Sequence, residues 1–257
     1  AITVMTHRTN PPEIKTQRKD DTLTVNVDGS VLLKPKSKIR IEIPANLVQL
    51  TIKGGGTVRT QVLPRGLQQL TVEDSTLAVL QGKNVMLQRL TLIHVKQARI
   101  DGVASTNLLA SVRNSGPVTV NGNVGIRELL AFNTGTVTIS WVNSQELTLY
   151  LRGTQRVYLA GVADLLNVRA FDHARLDAKY FRAKKAFVNT RQHGIAEVTV
   201  LDSLNAYAQD QSNIYYYATP KLLGRYYQDQ GSILYMGEKP PPCLVPECAR
   251  MPDSLPG

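Results

Sequence analysis

The sequence predicts an all-β fold: a single-stranded parallel β-helix, right-handed in sense, of about ten coils. Three observations predict it. Short apolar runs recur at a step near twenty residues, side chains alternate within each run, and a small residue stands at the same corner of most repeats.

The step comes first. An apolar residue follows each turn at Val58, Leu77, Ala98, Val118, Val137, Val157, Leu176, Ala196, Ile214 and Ile233, with steps of 19, 21, 20, 19, 20, 19, 20, 18 and 19. Stacking each coil on the last explains the constancy. Equivalent residues then form ladders about 4.8 Å apart, and ten coils make a rod roughly 45 Å long. An antiparallel sandwich also has short alternating strands but needs no constant step.

Alternation comes second. Two residues after each anchor stand Val79, Ile100, Val120, Ile139, Leu159, Ala178, Val198, Tyr216 and Tyr235, all apolar or aromatic. One residue after stand mostly polar ones, such as Arg99, Thr119, Asp177 and Glu197. That is period two, one face buried and one wet. A second inward column is expected at Val72, Leu92, Val112, Phe132, Leu151, Ala170, Thr190, Ala208 and Tyr227.

The corner comes third. Gly56, Ser75, Gly116, Gly135, Ala174, Gly194, Ser212 and Gly231 stand two residues before their anchors, where small size permits a sharp bend or positive φ. Lys96 and Gln155 interrupt the series. Helix is disfavoured, since Val, Thr, Ile and Tyr dominate the runs and no segment keeps helical spacing.

Three zones follow. Residues 1–21 are polar, charged and read as an extended arm. Residues 22–236 form the β-helix, with an irregular N-terminal cap over 22–57 carrying Leu23, Val25, Val27, Ile39, Ile41 and Ile43. Residues 237–257 hold Pro240, Pro241, Pro242, Pro246, Pro252 and Pro256 and read as an extended tail. The cap and the tail are expected to cover the open sheet edges of the rod.

Composition bounds the function. The 257 residues are 42% hydrophobic but only 6% aromatic, so the core is aliphatic. No apolar run is long enough to span a membrane as a helix. The start lacks a leader pattern, and Ala1-Ile2-Thr3-Val4 suits either a mature start or a trimmed one. The net charge of +10 and pI near 9.7 favour polyanionic neighbours, with no specific nucleic-acid motif. Cys243 and Cys248, with Pro246 between them, permit a small disulfide ring of an oxidising compartment, or stand as two free thiols. Two sulfurs alone complete no zinc site.

Candidate chemistry lies at the corners. Asp74, His94, Asn114, Asn133, Asp172, Gln192, Asp210 and Asp229 form a polar ladder, with Gly153 interrupting. Carboxylates on neighbouring coils suit calcium binding or acid–base cleavage of polysaccharide. Here only Asp210 and Asp229 are neighbours, and the plainer reading is hydrogen bonding to the turn. His173 and His193 also fall on adjacent coils, as a stacked pair or as two metal ligands with Asp172. Gly54-Gly55-Gly56 lacks the Lys-Ser/Thr of a phosphate loop and reads as a flexible corner. No catalytic, cofactor or metal residues are assigned.

Partner-binding candidates are outward tyrosines and a basic flank. Seven of ten tyrosines fall between Tyr207 and Tyr235. Alternation turns Tyr216 and Tyr235 inward, and Tyr215 and Tyr217 outward. Tyr226 joins the candidates, since outward tyrosines suit protein or sugar contact. Arg175, Lys179, Arg182, Lys184, Lys185 and Arg191 form a basic stretch offset nearby only by Asp172 and Asp177. Lys34, Lys36, Lys38 and Arg40 make a second basic cluster.

The last coils carry a family resemblance. The run Val198-Thr199-Val200-Leu201-Asp202-Ser203-Leu204-Asn205-Ala206-Tyr207, then Ser212-Asn213-Ile214-Tyr215-Tyr216-Tyr217 and Gly231-Ser232-Ile233, resembles the bacterial head GIN domain family of autotransporter-adhesin-like proteins. The similarity spans about residues 45–236, with Asp-Gln and Arg-Gln corners where the family often has Ser-Gly. It carries no active-site residues. It implies a non-catalytic, extracytoplasmic β-helix of the envelope, periplasmic, outer-membrane associated or secreted. The tyrosine-rich coils and basic faces point to envelope proteins or an anionic glycan as partners, and the charged and proline-rich termini suit a subunit of a larger envelope or secretion assembly. A polysaccharide lyase or hydrolase and a passive anionic-glycan binder are the alternatives.

Overall fold

The computed structural model describes residues 2–5, 14–19, 22–27, 38–41, 46–54, 56–60 and 62–240, the first four stretches as strand backbone. Lys34, Lys36, Cys243, Cys248 and the tail from 241 lie outside them. In chain order the strands are β1 (Ile2–Met5), β2 (Ile14–Lys19), β3 (Thr22–Val27), β4 (Lys38–Ile41), β5 (Gln49–Lys53), β6 (Thr57–Arg59), β7 (Gln69–Glu73), β8 (Leu77–Val85) and β9 (Arg89–Ile93). Then follow β10 (Ala98–Arg113), β11 (Val118–Phe132), β12 (Thr136–Gly153), β13 (Arg156–Asp172), β14 (Arg175–Thr190), β15 (Ile195–Gln209), β16 (Asn213–Tyr217), β17 (Leu222–Gln228) and β18 (Ser232–Tyr235).

From β5 onward every pairing is parallel, each coil on the one before, and β5 itself stacks parallel on β3. The long strands β10 to β15 each run almost a whole coil, broken by register shifts at their corners. Those shifts divide a coil into three runs and give the rod three faces. In β10 the inward residues are Ala98 and Ile100 on the first face, Val103 and Ser105 on the second, and Leu108, Ala110 and Val112 on the third. The first face holds ten rungs, from β6 to β18.

The predicted columns hold with two slips. Val58, Ala98, Val118, Val137, Val157, Leu176, Ala196, Ile214 and Ile233 lie in one ladder, but its second rung is Ala78, not Leu77. Ala78 and Leu80 are fully buried while Leu77 and Val79 face outward. Four consecutive apolar residues carry no phase, so periodicity alone cannot set that register. In the second column, Ala131 faces inward in place of Phe132. A phenylalanine there would overfill a column of Val112 and Leu151.

The core is aliphatic, as composition dictates, and Phe181 is its largest fully buried side chain. Burying each Val, Leu or Ile contributes roughly 1.5–3 kcal/mol. Unbroken ladders of such residues offset the conformational entropy lost in ordering the strands.

The corners reassign the glycines. Gly116, Gly194 and Gly231 do not adopt positive φ; a Cβ on Gly116 would meet the Lys96 carbonyl oxygen at 1.8 Å. Smallness there serves the close approach of coils. Gly56 does adopt positive φ, at 125°, but at the later corners positive φ belongs to the polar ladder one or two residues earlier.

At the N-terminal end β1 pairs antiparallel with β4, and β2 pairs antiparallel with β3. Strand pairing thus runs across residue 21, where the arm was expected to end. β3 is already a rung of the third face, with Leu23 opposite Leu50. At the other end, Tyr227 and Tyr235 occupy inward columns but are 69% and 46% exposed, because no described coil stacks on them.

Candidate functional site

The polar ladder turns the chain. Gly54, Asp74, His94, Asn114, Asn133, Gly153, Asp172, Gln192, Asp210 and Asp229 all have positive φ, the eight side-chain-bearing residues between 45 and 62°. Asn and Asp tolerate this region best, and glycine takes it freely. Side chains then bond from coil to coil. His94 Nδ1 lies 3.2 Å from Asp74 Oδ1, Gln192 Oε1 accepts the Asp172 N–H at 2.9 Å, and Asp210 Oδ2 accepts the Gln192 N–H at 3.1 Å. Asp172 also pairs with Arg152 at 3.4 Å. Of these carboxylates Asp210 holds a turn backbone, while Asp74 and Asp172 pair with side chains of adjacent coils. His173 and His193 stack with centroids 4.7 Å apart and planes at 28°. Among the described residues no group of three His, Cys, Asp or Glu is placed to hold a metal.

The basic stretch does not form one patch. Arg175 lies on the first face, in register with Arg156. Lys179 is half-buried and donates to Asp177 at 2.8 Å, with Glu197 at 3.9 Å. Burial pulls its ammonium down, but the bond and charge of Asp177, with Glu197 behind, leave it above the ordinary lysine value. Lys184 pairs with Asp164 at 2.7 Å, and that bond raises its pKa. Arg182 and Lys185 are exposed. The sequence counted Asp172 and Asp177 as the only nearby acids, but Asp164, Glu197 and Asp202 arrive from adjacent coils.

Among the tyrosines, Tyr215 is half-buried and Tyr226 is 63% exposed. Tyr217 corrects the expectation: it is buried, only 5% exposed. Alternation lapses where β16 reaches its corner, since Ala218 turns the chain at φ 62° and Tyr217 pairs with the buried Thr199. Burial, then the Glu197 carboxylate, pushes its phenol up.

Two surfaces were not foreseen. The first is a groove along the second face, made of two adjoining hollows of about 930 and 940 Å³ that share Asn123, Asn143, Val162, Arg182 and Leu201. Trp141, the sole tryptophan, stands in it 37% exposed at φ 63°. Near the same corner the coils before and after carry Gly122 and Gly161, at φ 145° and 141°, where a Cβ would meet the carbonyl oxygens of Val103 and Val142. Lys179, Arg182 and Lys184 line the same groove. The sequence hint was a lone Trp at a step where neighbouring coils carry glycine.

The second is a strip on the third face. Arg113, Phe132, Arg152 and Phe171 are successive rungs of one outward ladder, and Arg191, the residue after β14, packs on Phe171. The Arg113 guanidinium lies 5.4 Å from the Phe132 centroid, and that of Arg191 lies 5.8 Å from Phe171 and 6.0 Å from Tyr207. Tyr150 bridges Phe132 and Phe171 at 5.5 and 5.7 Å. Placing Phe132 inward concealed this alternation in the sequence.

Comparison with known proteins gives two likenesses. A solved structure, described as a putative adhesin from Bacteroides fragilis, is similar over 87% of this chain and 76% of its own, with 14% identity and a TM-score of 0.34. No curated protein matches the chain. Residues 127–220 match the family described as "Putative auto-transporter adhesin, head GIN domain". That stretch includes the Val198–Tyr207 and Ser212–Tyr217 runs but is shorter than the expected 45–236. The family that this chain resembles is therefore the head GIN domain family, and residues 127–220 carry the match.

Proposed function

We propose that this protein is a non-enzymatic, adhesin-like binding rod of the bacterial cell envelope, working outside the cytoplasm and engaging glycan or protein partners along its length. The observation that carries this reading is the lengthwise groove with Trp141 held in it on left-handed backbone. That conformation costs a non-glycine residue about 1–2 kcal/mol. The strain falls on an exposed aromatic residue that lines a hollow, and strain kept at such a place points to function. An indole beside Asn123, Asn143 and Arg182 presents a flat apolar face next to amide and guanidinium donors, which suits sugar rings and their substituents.

The family description supports an adhesin-like role. Tyr215, Tyr226, Arg175 and Lys185 add contact points outside the groove. The last coil supports a place in a larger envelope or secretion assembly, because Leu222, Tyr226, Tyr227 and Met236 are exposed together, as on surfaces that partners cover. Asp74, Asp172 and Asp210 are each engaged by a neighbouring coil, which favours binding over cleavage.

Trp141 reports on the groove by its own fluorescence. Titration with soluble neutral and uronate oligosaccharides should shift its emission saturably, and Trp141→Gly should bind the same sugars at least tenfold more weakly while keeping its fold. Cleavage of a uronate polymer, lost on Asp210→Asn or Asp229→Asn, would replace this reading with an enzymatic one.

A further inference from the structure

We infer that the arginine–phenylalanine strip of the third face is a site for a linear anionic glycan bearing an acidic sugar at every second residue. The inference rests on the binding-rod reading above and gives one face of that rod a ligand chemistry. It uses a different surface from the Trp141 groove.

The spacing leads to the ligand. Arg113 and Arg152 stand on alternate coils of one ladder and Arg191, just past its last paired rung, packs against Phe171, so their Cα atoms recur at about 9.6 Å, twice the interstrand distance. Phe132 and Phe171 occupy the coils between. The whole strip is about 19 Å long, four coil steps. An extended glycan with carboxylates one disaccharide apart has its charges on that scale. Its intervening neutral sugars would lie beside the aromatic rungs, against ring edges that the guanidinium groups leave uncovered. A nucleic-acid strand carries a phosphate about every 3.4 Å of axis, nearly three for each arginine of this column.

The rings also prepare the cations. A guanidinium stacked on an aromatic face keeps its in-plane N–H donors free for a carboxylate. Phe132 holds Arg113 in this way, and Phe171 with Tyr207 holds Arg191. Less side-chain freedom is then lost on binding. Arg152 is held by Asp172 instead, which partly neutralises the centre of the strip. Arg169, exposed one column away, adds positive charge beside it.

The test uses the full chain in physiological salt with three probes of equal length: an oligosaccharide alternating uronate and neutral amino sugar, a homopolymeric uronate, and a single-stranded oligonucleotide. The alternating glycan should bind tightest. Combined Arg113→Gln and Arg191→Gln should weaken it at least tenfold, and Phe171→Leu, which keeps every charge, severalfold. Arg65→Gln, an exposed arginine far from the strip, should change it less than twofold. Tighter binding to the oligonucleotide, equal loss from Arg65→Gln, or no effect of Phe171→Leu would overturn the inference. Unchanged affinity in the double arginine variant, with Trp141 emission still responding to sugars, would refute the strip and leave the groove reading intact. A wild-type chain that binds none of the probes and shows no Trp141 response would refute both.

Discussion

Single residues decide how closely the coils pack. A Cβ on Gly116 would enter the Lys96 carbonyl, whereas one on Gly66 meets nothing within 4 Å. Gly116→Ala should therefore lose about 1–3 kcal/mol as the neighbouring coils shift apart. Gly66→Ala should stay within about 0.5 kcal/mol of the parent. Urea unfolding of the two variants checks this. If both behave alike, coil-to-coil approach is not what selects glycine. The same corners show what a sequence conceals at this scale. Their recurrence was legible, but the division of labour was not: Asp, Asn, His and Gln make the left-handed turn, and glycines and serines beside them make the close approach. Both residue classes favour turns, so composition does not separate them.

At the scale of strands, the inward columns of β10 to β16 were legible because polar and apolar residues alternate cleanly there. They were illegible where every residue is apolar, as from Leu77 to Leu80 and from Leu129 to Phe132. The observed register makes a sharp prediction. Phe132→Ala removes a partly exposed ring and should cost no more than about 1 kcal/mol beyond the area lost. Ala131→Phe forces an aromatic ring into a full column and should destabilise by about 3 kcal/mol or lose the fold. Thermal melts with the opposite ranking would restore the one-residue alternative.

The cluster joining β14, β15 and β16 predicts a pH response. Burial raises the Tyr180 and Tyr217 phenols, and Asp177 with Glu197 leaves Lys179 raised. A proton held more tightly in the folded chain gives stability that is complete below the unfolded pKa and lost as pH rises through the folded one. Stability should thus fall as pH climbs from the ordinary phenol and lysine range near 10 into the raised range above it. Tyr217→Phe should shallow that decline by up to one proton, read as the slope of unfolding free energy against pH. A steeper decline in the variant would contradict the packing of Tyr217. On the acid side, hydrogen bonds from Lys221 to Asp202 and from Thr219 and Tyr235 to Glu238 lower those carboxyls. Their contribution is present above the ordinary carboxylate range and is lost as pH falls through their lowered values.

Taken whole, the molecule is a rod whose two ends differ. β2 runs antiparallel along the first rung of the third face. At the last rung Arg225 and Tyr227 take inward columns that hold Ala206 and Ala208 one coil earlier. A charge in an inward position discourages another chain from extending the sheet, a device that guards exposed edges. Strand addition at the end is thereby discouraged, and the lengthwise faces are the surfaces best suited to a glycan. The fold that presents them was legible from a twenty-residue step. The surfaces were not, because outward residues obey no repeat that hydrophobicity reveals, and their neighbours lie twenty positions away in the chain.

The central claim is lengthwise binding without cleavage, and oligosaccharide length tests it most directly. Calorimetric titration with alternating uronate oligosaccharides of increasing size should show affinity rising until the ligand spans about 19 Å, the distance from Arg113 to Arg191. It should then level off, with the oligosaccharide recovered at its original length. An affinity independent of length beyond the first disaccharide, or recovery of shortened chains, would contradict it.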